Sequence, residues 1–406
     1  MMLQFKKHLL WAAALVVMCA FVSCSKRGGA DGAADARSGE IVAFADLEKT
    51  GSMSLRYATQ FSVDYYGVRD DSASGSDDLR EMGATPVYKL VRTSVGDAFL
   101  LVPKGAPVPK DMPPEITPLQ LPLKNVYMVA TSAMDLINEC GAIGEVAFSG
   151  TKAKDWSVPE ATAAMEAGKI AYAGKYSAPD YELLTAGDCR LAIESTMIYH
   201  KPEVKEKLEE LGIPVFVEHS SYEAHPLGRL EWIKLYGVLF GKEAVANQYY
   251  ENELSRIEPI MQKSASGKSV AFFYVNSNGA VNVRKPDDYI VKMIKLAGGK
   301  YALDNLFVEE ENALSTVNMM MEDFYVSCVD ADILIYNGTI DTAFSSLDDL
   351  FAKSELFRDF AAVKSGCVYF ASKDFYQQST GMAAFIEDLY NVLNDENGDF
   401  AYLTKL

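Results

Sequence analysis

The sequence predicts an α/β protein with two lobes joined by one long helix and a β-rich extension in front. Three observations lead there. Short apolar, strand-like runs alternate with helical segments in two separate stretches, 124–241 and 264–406. Between them, residues 242–263 carry a continuous helical periodicity. Residues 41–123 show partly alternating strand patterns such as SLRYATQFSVDYY and VYKLVRTSVGDAFLLVP, with no helical period. Alternation of strands with helices indicates a parallel sheet, whereas period-2 alternation marks a half-buried strand.

The first 23 residues read as a targeting signal. Lys6 and Lys7 precede an apolar run of 14 residues, Leu9 to Val22, which is short for a membrane span. The run closes on Phe21-Val22-Ser23-Cys24, which resembles a loose lipobox. That resemblance implies cleavage before Cys24 and acylation of its thiol, so that the membrane is met only through an N-terminal lipid. Residues 24–40 are Gly/Ala/Asp-rich and read as a flexible tether. No acidic run follows the Cys, so a periplasm-facing anchor is expected. The proline-rich PKGAPVPKDMPPEITPLQLP closes the extension and reads as an extended connection.

From Lys124 the texture changes. Val126–Ala130, Val146–Ser149, Leu191–Ile193 and Val215–Val217 read as buried strands. Helices are expected at Ala133–Glu139 and Lys201–Leu211. In parallel α/β sheets ligands bind beyond the carboxyl ends of the strands. The loops Thr131–Ala133, Gly150–Trp156, Glu194–His200 and Glu218–His225 should therefore share one rim. Residues 227–263 are helical in two pieces about Gly241. A linking helix of about 20 residues spans roughly 30 Å and acts as a strut rather than a soft hinge. The second lobe repeats the scheme with strands Ser269–Asn276, Ile333–Asn337 and Val368–Ala371. Its expected helices are Tyr289–Ala297 and Met382–Leu393.

The lobes echo each other. Pro179-Asp180-Tyr181-Glu182 leads through Asp188 to a buried strand, and Met321-Glu322-Asp323-Phe324 leads through Asp330 and Asp332 to another. With this pattern, and with NVYMVATSAMDLINECGAIGEVAFSG as an opening strand-helix-Gly-strand run, residues 124–406 resemble the class III periplasmic substrate-binding proteins of ferric-siderophore, haem and cobalamin ABC importers. HPLGRLEWIK and the terminal FAYLTKL resemble a Bacteroidetes lipoprotein branch of that class. The chain departs from the class by carrying Gly187-Asp188 and Ala331-Asp332 where Pro-Asp is usual. The resemblance implies two Rossmann-like lobes, a monomer, a permease dimer as partner and a small-molecule metal chelate as ligand, with no cofactor of its own. It assigns Glu182 and Glu322 to docking on the transporter, where exposed carboxylates meet arginine clusters and give orientation more than raw affinity.

The resemblance also points to Tyr176 in the cleft. The matching position packs on the corrin in a cobalamin-binding relative and, about one residue offset, ligates iron in haem-binding relatives. Other aromatic positions used for cobalamin fall on Ser195 and Thr316, both small and polar, which favours an iron chelate over cobalamin. Trp156, Phe375 and Tyr376 offer aromatic faces from other loops. An anionic chelate wants cationic donors, and Lys152, Lys154, Arg284 and Lys285 lie in or beside rim loops; arginine is the better oxyanion clamp. A bare metal ion is a rival ligand, drawing on His200, His219, His225 and Glu218.

Other classes find less support. The formal net charge is −18, which opposes nucleic-acid binding. No GxSxG, HExxH or P-loop motif occurs, and Glu194-Ser195 near His200 has no accompanying oxyanion motif, so no enzyme is expected. Cys140, Cys189, Cys328 and Cys367 form no zinc spacing; one disulfide per lobe and four buried thiols are both open readings.

Overall fold

The computed structural model describes residues 42–69, 87–307, 315–339, 341, 344–396 and 398–406. The signal segment, Cys24 and the tether lie outside the described residues.

The extension forms a five-stranded sheet: β1 (Leu47–Ser52), β2 (Phe61–Val68), β3 (Tyr88–Thr93), β4 (Ala98–Val102) and β5 (Ile116–Gln120), in that order. Its pairings are antiparallel except β4 with β5. Residues 98–102 are buried throughout because β4 is covered on both faces. Phe99 and Leu101 join the core beneath the sheet, while Leu100 and Val102 pack on the other side with Leu47, Tyr88 and Leu90. The proline-rich segment was expected to be a bare connection, yet it contains β5. Pro118 is tolerated because β5 lies at the sheet edge, where one side of the strand needs no ladder donor.

The first lobe holds a parallel sheet. Its strands are β6 (Val126–Met128), β7 (Val146–Ser149), β8 (Ala171–Tyr172), β11 (Ala192–Ser195) and β12 (Val215–Glu218), in the order β12-β11-β6-β7-β8. A short hairpin, β9 (Gly174–Lys175) with β10 (Ala178–Pro179), follows β8. Helices α1 (Thr131–Glu139), α2 (Pro159–Glu166), α3 (Tyr181–Ala186) and α4 (Pro202–Glu210) complete the lobe.

Two helices follow: α5 (Pro226–Phe240) and α6 (Glu243–Met261), separated by Gly241 in the left-handed conformation at φ 65°. The expected lone strut is instead one arm of a helical hairpin. A Cβ on Gly237 would lie 2.6 Å from the Ala246 Cβ, so glycine there permits the close approach of the two helices. Apolar on nearly every side, α5 is buried over nearly its whole length, as expected of an interior helix. One apolar core runs from Phe61, Val91 and Phe99 of the extension through Trp232 and Tyr250 of the hairpin to Phe272 and Ile335 of the second lobe.

The second lobe's sheet contains β13 (Ser269–Val275), β14 (Val281–Arg284), β15 (Lys300–Tyr301), β16 (Thr316–Met319), β17 (Ile333–Asn337), β18 (Val368–Ala371) and β19 (Leu403–Lys405). Its helices are α7 (Tyr289–Leu296), α8 (Met321–Cys328), α9 (Leu347–Lys353), α10 (Ala361–Ser365) and α11 (Met382–Leu393). Strands β15, β13, β17 and β18 pair in parallel, while β14, β16 and β19 are antiparallel additions the sequence reading did not separate.

Two buried carboxylates fasten the extension to α5. Glu231, fully buried, accepts from the backbone N–H groups of Arg56 (2.9 Å), Tyr57 (2.7 Å) and Ala58 (2.9 Å), and from Lys234 Nζ at 2.8 Å. Glu223 accepts from Thr59 N and Gln60 N, both at 2.9 Å, and from Trp232 Nε1 at 2.9 Å. Five consecutive residues thus give their N–H groups to two side chains. Phe61 then packs edge-on to Trp232 at 5.1 Å. This gives HPLGRLEWIK a local purpose: its Glu, Trp and Lys hold the extension.

The four cysteines are free: Cys140, Cys189 and Cys328 are buried and Cys367 is half-buried. The one-disulfide-per-lobe reading is therefore not what the fold contains. Burial pushes the Cys140 and Cys328 thiols up to about 12 and Cys189 to about 11, which keeps them protonated. Among the described residues no helix is long and apolar enough to cross a membrane.

Candidate functional site

The carboxyl ends of the first lobe's strands carry unusually bare aromatic surface. Tyr172 closes β8 and is 41% exposed; Tyr199 follows β11 at 48%; Tyr222 follows β12 at 50%. Met197 beside Tyr199 is likewise exposed. Lys152, from the loop after β7, lies 5.6 Å from the Tyr172 ring centroid. Tyr199, Tyr222 and Met197 lie within loops the sequence places on the rim, but none was singled out. The available signal was large apolar side chains in loops that immediately follow buried strands.

Behind this rim sits His219, 1% exposed, between two tyrosines. Its Nε2 shares a hydrogen bond of 3.0 Å with the Tyr199 hydroxyl, and its ring centroid lies 5.7 Å from that of Tyr222. Its Nδ1 has no partner among the described residues. Burial, with Asp97 and Tyr222 nearby, pushes the Tyr199 phenol up to about 12.

The second lobe contributes a cationic pair. Arg284, at the end of β14, donates from Nη2 to the Tyr376 hydroxyl at 2.7 Å and approaches Asp288 Oδ2 at 3.8 Å. Burial disfavours the charge on Arg284, yet Tyr376 and Asp288 outweigh it and hold the guanidinium above its ordinary range. Burial likewise raises the Asp288 carboxyl, with Arg284 and the Ile290 N–H as the largest of the opposing influences. Arg229 of α5 extends this cluster. Its guanidinium lies 3.5 Å over the Tyr289 ring and donates to Ser221 O at 2.6 Å.

Hydrogen bonds join the lobes on both flanks. On one flank Ser157 Oγ donates to Asp374 at 2.6 Å, Ser157 N to Gln377 at 2.8 Å, and Gln378 Nε2 to Ser157 O at 2.8 Å. Asp135 of α1 accepts from Thr380 N at 2.8 Å and Oγ1 at 2.6 Å. On the other flank, beside Arg229, Lys292 Nζ donates to Ala224 O at 2.7 Å. The loop carrying Tyr376 and helix α7 thus meet loops of the first lobe.

The remaining expected residues are placed as follows. Tyr176 sits in the turn between β9 and β10, half-buried against the layer of Tyr127, Val129 and Leu184. Trp156 does not present its ring to a cleft: it is 7% exposed, and its Nε1 donates to Ser149 Oγ at 3.1 Å. Ser195 ends β11 and is half-buried. Lys285 is half-buried, and its backbone N–H donates to Ser315 O at 3.0 Å. Lys154 is exposed.

The bare-ion cluster does not assemble. His200 is exposed, His225 accepts from Leu227 N and stacks on Tyr57 at 4.5 Å, and Glu218 accepts from Ser132 Oγ and Ser220 N. Among the described residues no group of three or more His, Cys, Asp or Glu is placed to hold a metal ion. Glu194 stands apart: it is fully buried, and neither carboxylate oxygen has a partner among the described residues. Desolvation pushes it up to about 8.

Glu182 and Glu322 occupy the same place in their lobes. Each is the second residue of a short helix, α3 and α8, and each is exposed with no ion partner among the described residues. Asp180 caps α3 by accepting from Leu183 N at 3.0 Å, so Glu182 is left free of capping duty.

No family model matches the chain. Two uncharacterized lipoproteins of Methanocaldococcus jannaschii are similar to it. One is 24% identical over 346 residues, covering 81% of this chain and 79% of its own. The other is 26% identical over 346 residues, covering 79% and 82%. The first of these spans is longer than residues 124–406, so that likeness takes in part of the extension. Among solved structures, a periplasmic binding protein from Veillonella parvula aligns with TM-score 0.54 and 15% identity, over 68% of this chain and 92% of that one. The periplasmic haem-binding protein of Vibrio cholerae aligns with TM-score 0.52 and 17% identity, over 66% and 98%. The petrobactin-binding protein of Bacillus subtilis gives 0.52 and 17%, over 67% and 93%. The chain has the two-lobe fold of these periplasmic binding proteins.

Proposed function

We propose that this chain, with the fold of the periplasmic binding proteins, is the substrate-binding lipoprotein of an ABC importer, capturing an iron chelate and passing it to the permease. The observation that carries the reading is the matched pair Glu182 and Glu322, one exposed and unpartnered carboxylate at the same helical position in each lobe. Two like acids, one per lobe, suit a partner with two equivalent basic subunits. Exposed carboxylates can form charge-assisted bonds to arginine without deep desolvation. Cys24 would hold the protein to the membrane by its lipid, on the periplasmic side.

The ligand would lie between the aromatic rim of Tyr172, Tyr199 and Tyr222 and the Arg284–Tyr376 pair. Aromatic faces accept a large planar or catecholate ligand, and a buried guanidinium selects oxyanions. Tyr176 and Lys152 would border the same mouth. Two flanks already tied by hydrogen bonds leave room for a small rocking of the lobes rather than a wide clamp. Cobalamin is the second reading, favoured by the aromatic rim, which would also receive a corrin face. The test separates docking from binding: Glu182→Ala with Glu322→Ala should abolish chelate uptake by cells while the purified double variant keeps wild-type chelate affinity. Undiminished uptake by that variant would remove the docking assignment.

A further inference from the structure

Where the extension meets the α5–α6 hairpin lies a cavity of about 430 Å³ whose walls include Ser54 and Arg56 of the extension and Lys234, Asn247, Tyr250 and Glu251 of the hairpin. It is far larger than the space of about 30 Å³ that one water occupies. Three hydrogen-bond donors around it lack acceptors. Tyr250 is 1% exposed, yet its hydroxyl has no partner among the described residues. Burial, with the charge of Glu231, raises the phenol above its ordinary range, so it stays protonated and able to donate. Lys234 is 8% exposed, and its Nζ stands 4.1 Å from the Tyr250 ring centroid. That ammonium donates to Glu231 at 2.8 Å, its one hydrogen bond among the described residues, which leaves two of its three donors unused. Arg56 reaches the cavity from the extension. Its Nη1 donates to Glu258 at 2.8 Å in an exposed pair, and its guanidinium makes no other hydrogen bond among the described residues. A buried donor left unmet costs free energy that an acceptor in the cavity recovers.

We propose that this cavity binds a small oxyanion, a phosphate or a short carboxylate, through the Tyr250 hydroxyl, the Lys234 ammonium and the Arg56 guanidinium. An oxyanion supplies what these groups lack, several acceptor oxygens on one small body, and charge-assisted bonds of this kind are roughly twice as strong as neutral ones. Two carboxylates stand nearby. Glu231 is already met by three backbone N–H groups as well as by Lys234, which spreads its charge. Glu251 is exposed, so solvent and salt screen its repulsion. The exposed Arg56–Glu258 pair contributes little and leaves the guanidinium able to turn to a ligand. Arg56 belongs to the extension, Lys234 to α5 and Tyr250 to α6, so the anion ties three elements together at the seam that Glu231 already fastens. Its binding therefore stabilises the attached extension by mass action. None of these residues belongs to the aromatic rim, the Arg284–Tyr376 pair or the docking acids, so the site stands independently of the importer reading.

The test is isothermal titration calorimetry of the purified chain with sodium phosphate and, separately, with sodium succinate, at an ionic strength held constant with sodium chloride. At least one probe should bind saturably, at one molecule per chain. Binding should weaken at least tenfold in Tyr250→Phe, which removes only an unpartnered hydroxyl, and in Arg56→Gln, which removes an exposed charge. Lys234 is left intact because its loss would also break the Glu231 clamp. The bound probe should slow hydrogen exchange at Arg56–Ala58 in wild type, and not in Tyr250→Phe at the same probe concentration. Saturation by phosphate alone supports the site with a tetrahedral anion as occupant, and saturation by succinate alone supports it with a carboxylate. No saturable binding of either probe means that water fills the cavity and overturns the proposal. Binding that survives undiminished in either variant puts the anion elsewhere and overturns it as well.

Discussion

Replacing Glu231 by alanine should detach the extension from the lobes. In the native chain this carboxylate is fully buried and takes three backbone N–H groups of residues 56–58 together with the Lys234 ammonium. Removing one partner of a buried ion pair costs about 3–5 kcal/mol, and each backbone donor left unmet in the interior costs about 1–3 kcal/mol. These figures do not add, because the freed segment can lift into water; a loss of about 5 kcal/mol is expected for Glu231→Ala and about 3 kcal/mol for Glu231→Gln, which keeps one acceptor. Such a loss is a large share of the stability of a whole domain, so residues 42–120 should open before the lobes do. Hydrogen exchange read at Arg56–Gln60 and at β2 would report it, as would a red shift of Trp232 fluorescence once Phe61 leaves its ring. Unchanged protection at residues 56–60, with a stability change under about 1 kcal/mol, would refute the clamp. Acid should act in the same direction. Burial alone would raise the Glu231 carboxyl, but Lys234 and the three N–H groups outweigh it and hold it below its ordinary value. The clamp is therefore complete above the ordinary glutamate value of 4.5 and is lost as pH falls from there through the lower folded value.

Three other perturbations have defined outcomes. Arg284→Leu should weaken binding of an anionic ferric chelate by tenfold or more, about 1.4 kcal/mol, in an equilibrium titration, whereas equal affinity would mean the guanidinium serves only Tyr376 and Asp288. Glu194, raised to about 8 by desolvation, should make the protein less stable as pH climbs from its unfolded value through about 8. Urea unfolding at several pH values should show wild type losing up to about 1.4 kcal/mol per pH unit relative to Glu194→Gln over that window; parallel curves would show that the carboxyl is not desolvated. Ser157→Ala with Gln378→Ala should loosen one flank between the lobes and widen the distance distribution seen by double electron–electron resonance between labels on α2 and α10, and an unchanged distribution would mean the remaining bonds, such as Thr380 to Asp135 and Lys292 to Ala224 O, and the α5–α6 hairpin suffice to fix the lobes.

Much of the architecture was legible because the chain is locally consistent. Val146–Ser149, Ile333–Asn337, Val368–Ala371 and Met382–Leu393 have the bounds their apolar runs suggest, since short buried strands and a helix with one apolar face leave few alternatives. The Gly241 break was readable from the glycine alone. What escaped was tertiary. The hairpin of α5 on α6 depends on Gly237 meeting Ala246, a contact nine positions apart that no periodicity encodes. β5 hid in a proline-rich segment because an edge strand tolerates what a central strand would not. At the site, Arg284 and Tyr376 were named separately for their chemistry, and the fold brings them to 2.7 Å. Trp156 was chosen for its ring, but a tryptophan followed by an apolar helix start is drawn into the core, with Ser149 meeting its N–H. His219 looked like a metal ligand among several histidines; only the pairing of β11 with β12 shows that its partner is Tyr199.

The most direct test of the importer reading is a binding titration of the purified mature chain against haemin, a ferric catecholate and cyanocobalamin, each followed to saturation. One ferric chelate should bind at one molecule per chain with micromolar or tighter affinity. If none of the iron chelates binds while cyanocobalamin does, the ligand assignment is wrong, and if nothing binds, the chain is not a receptor of this kind.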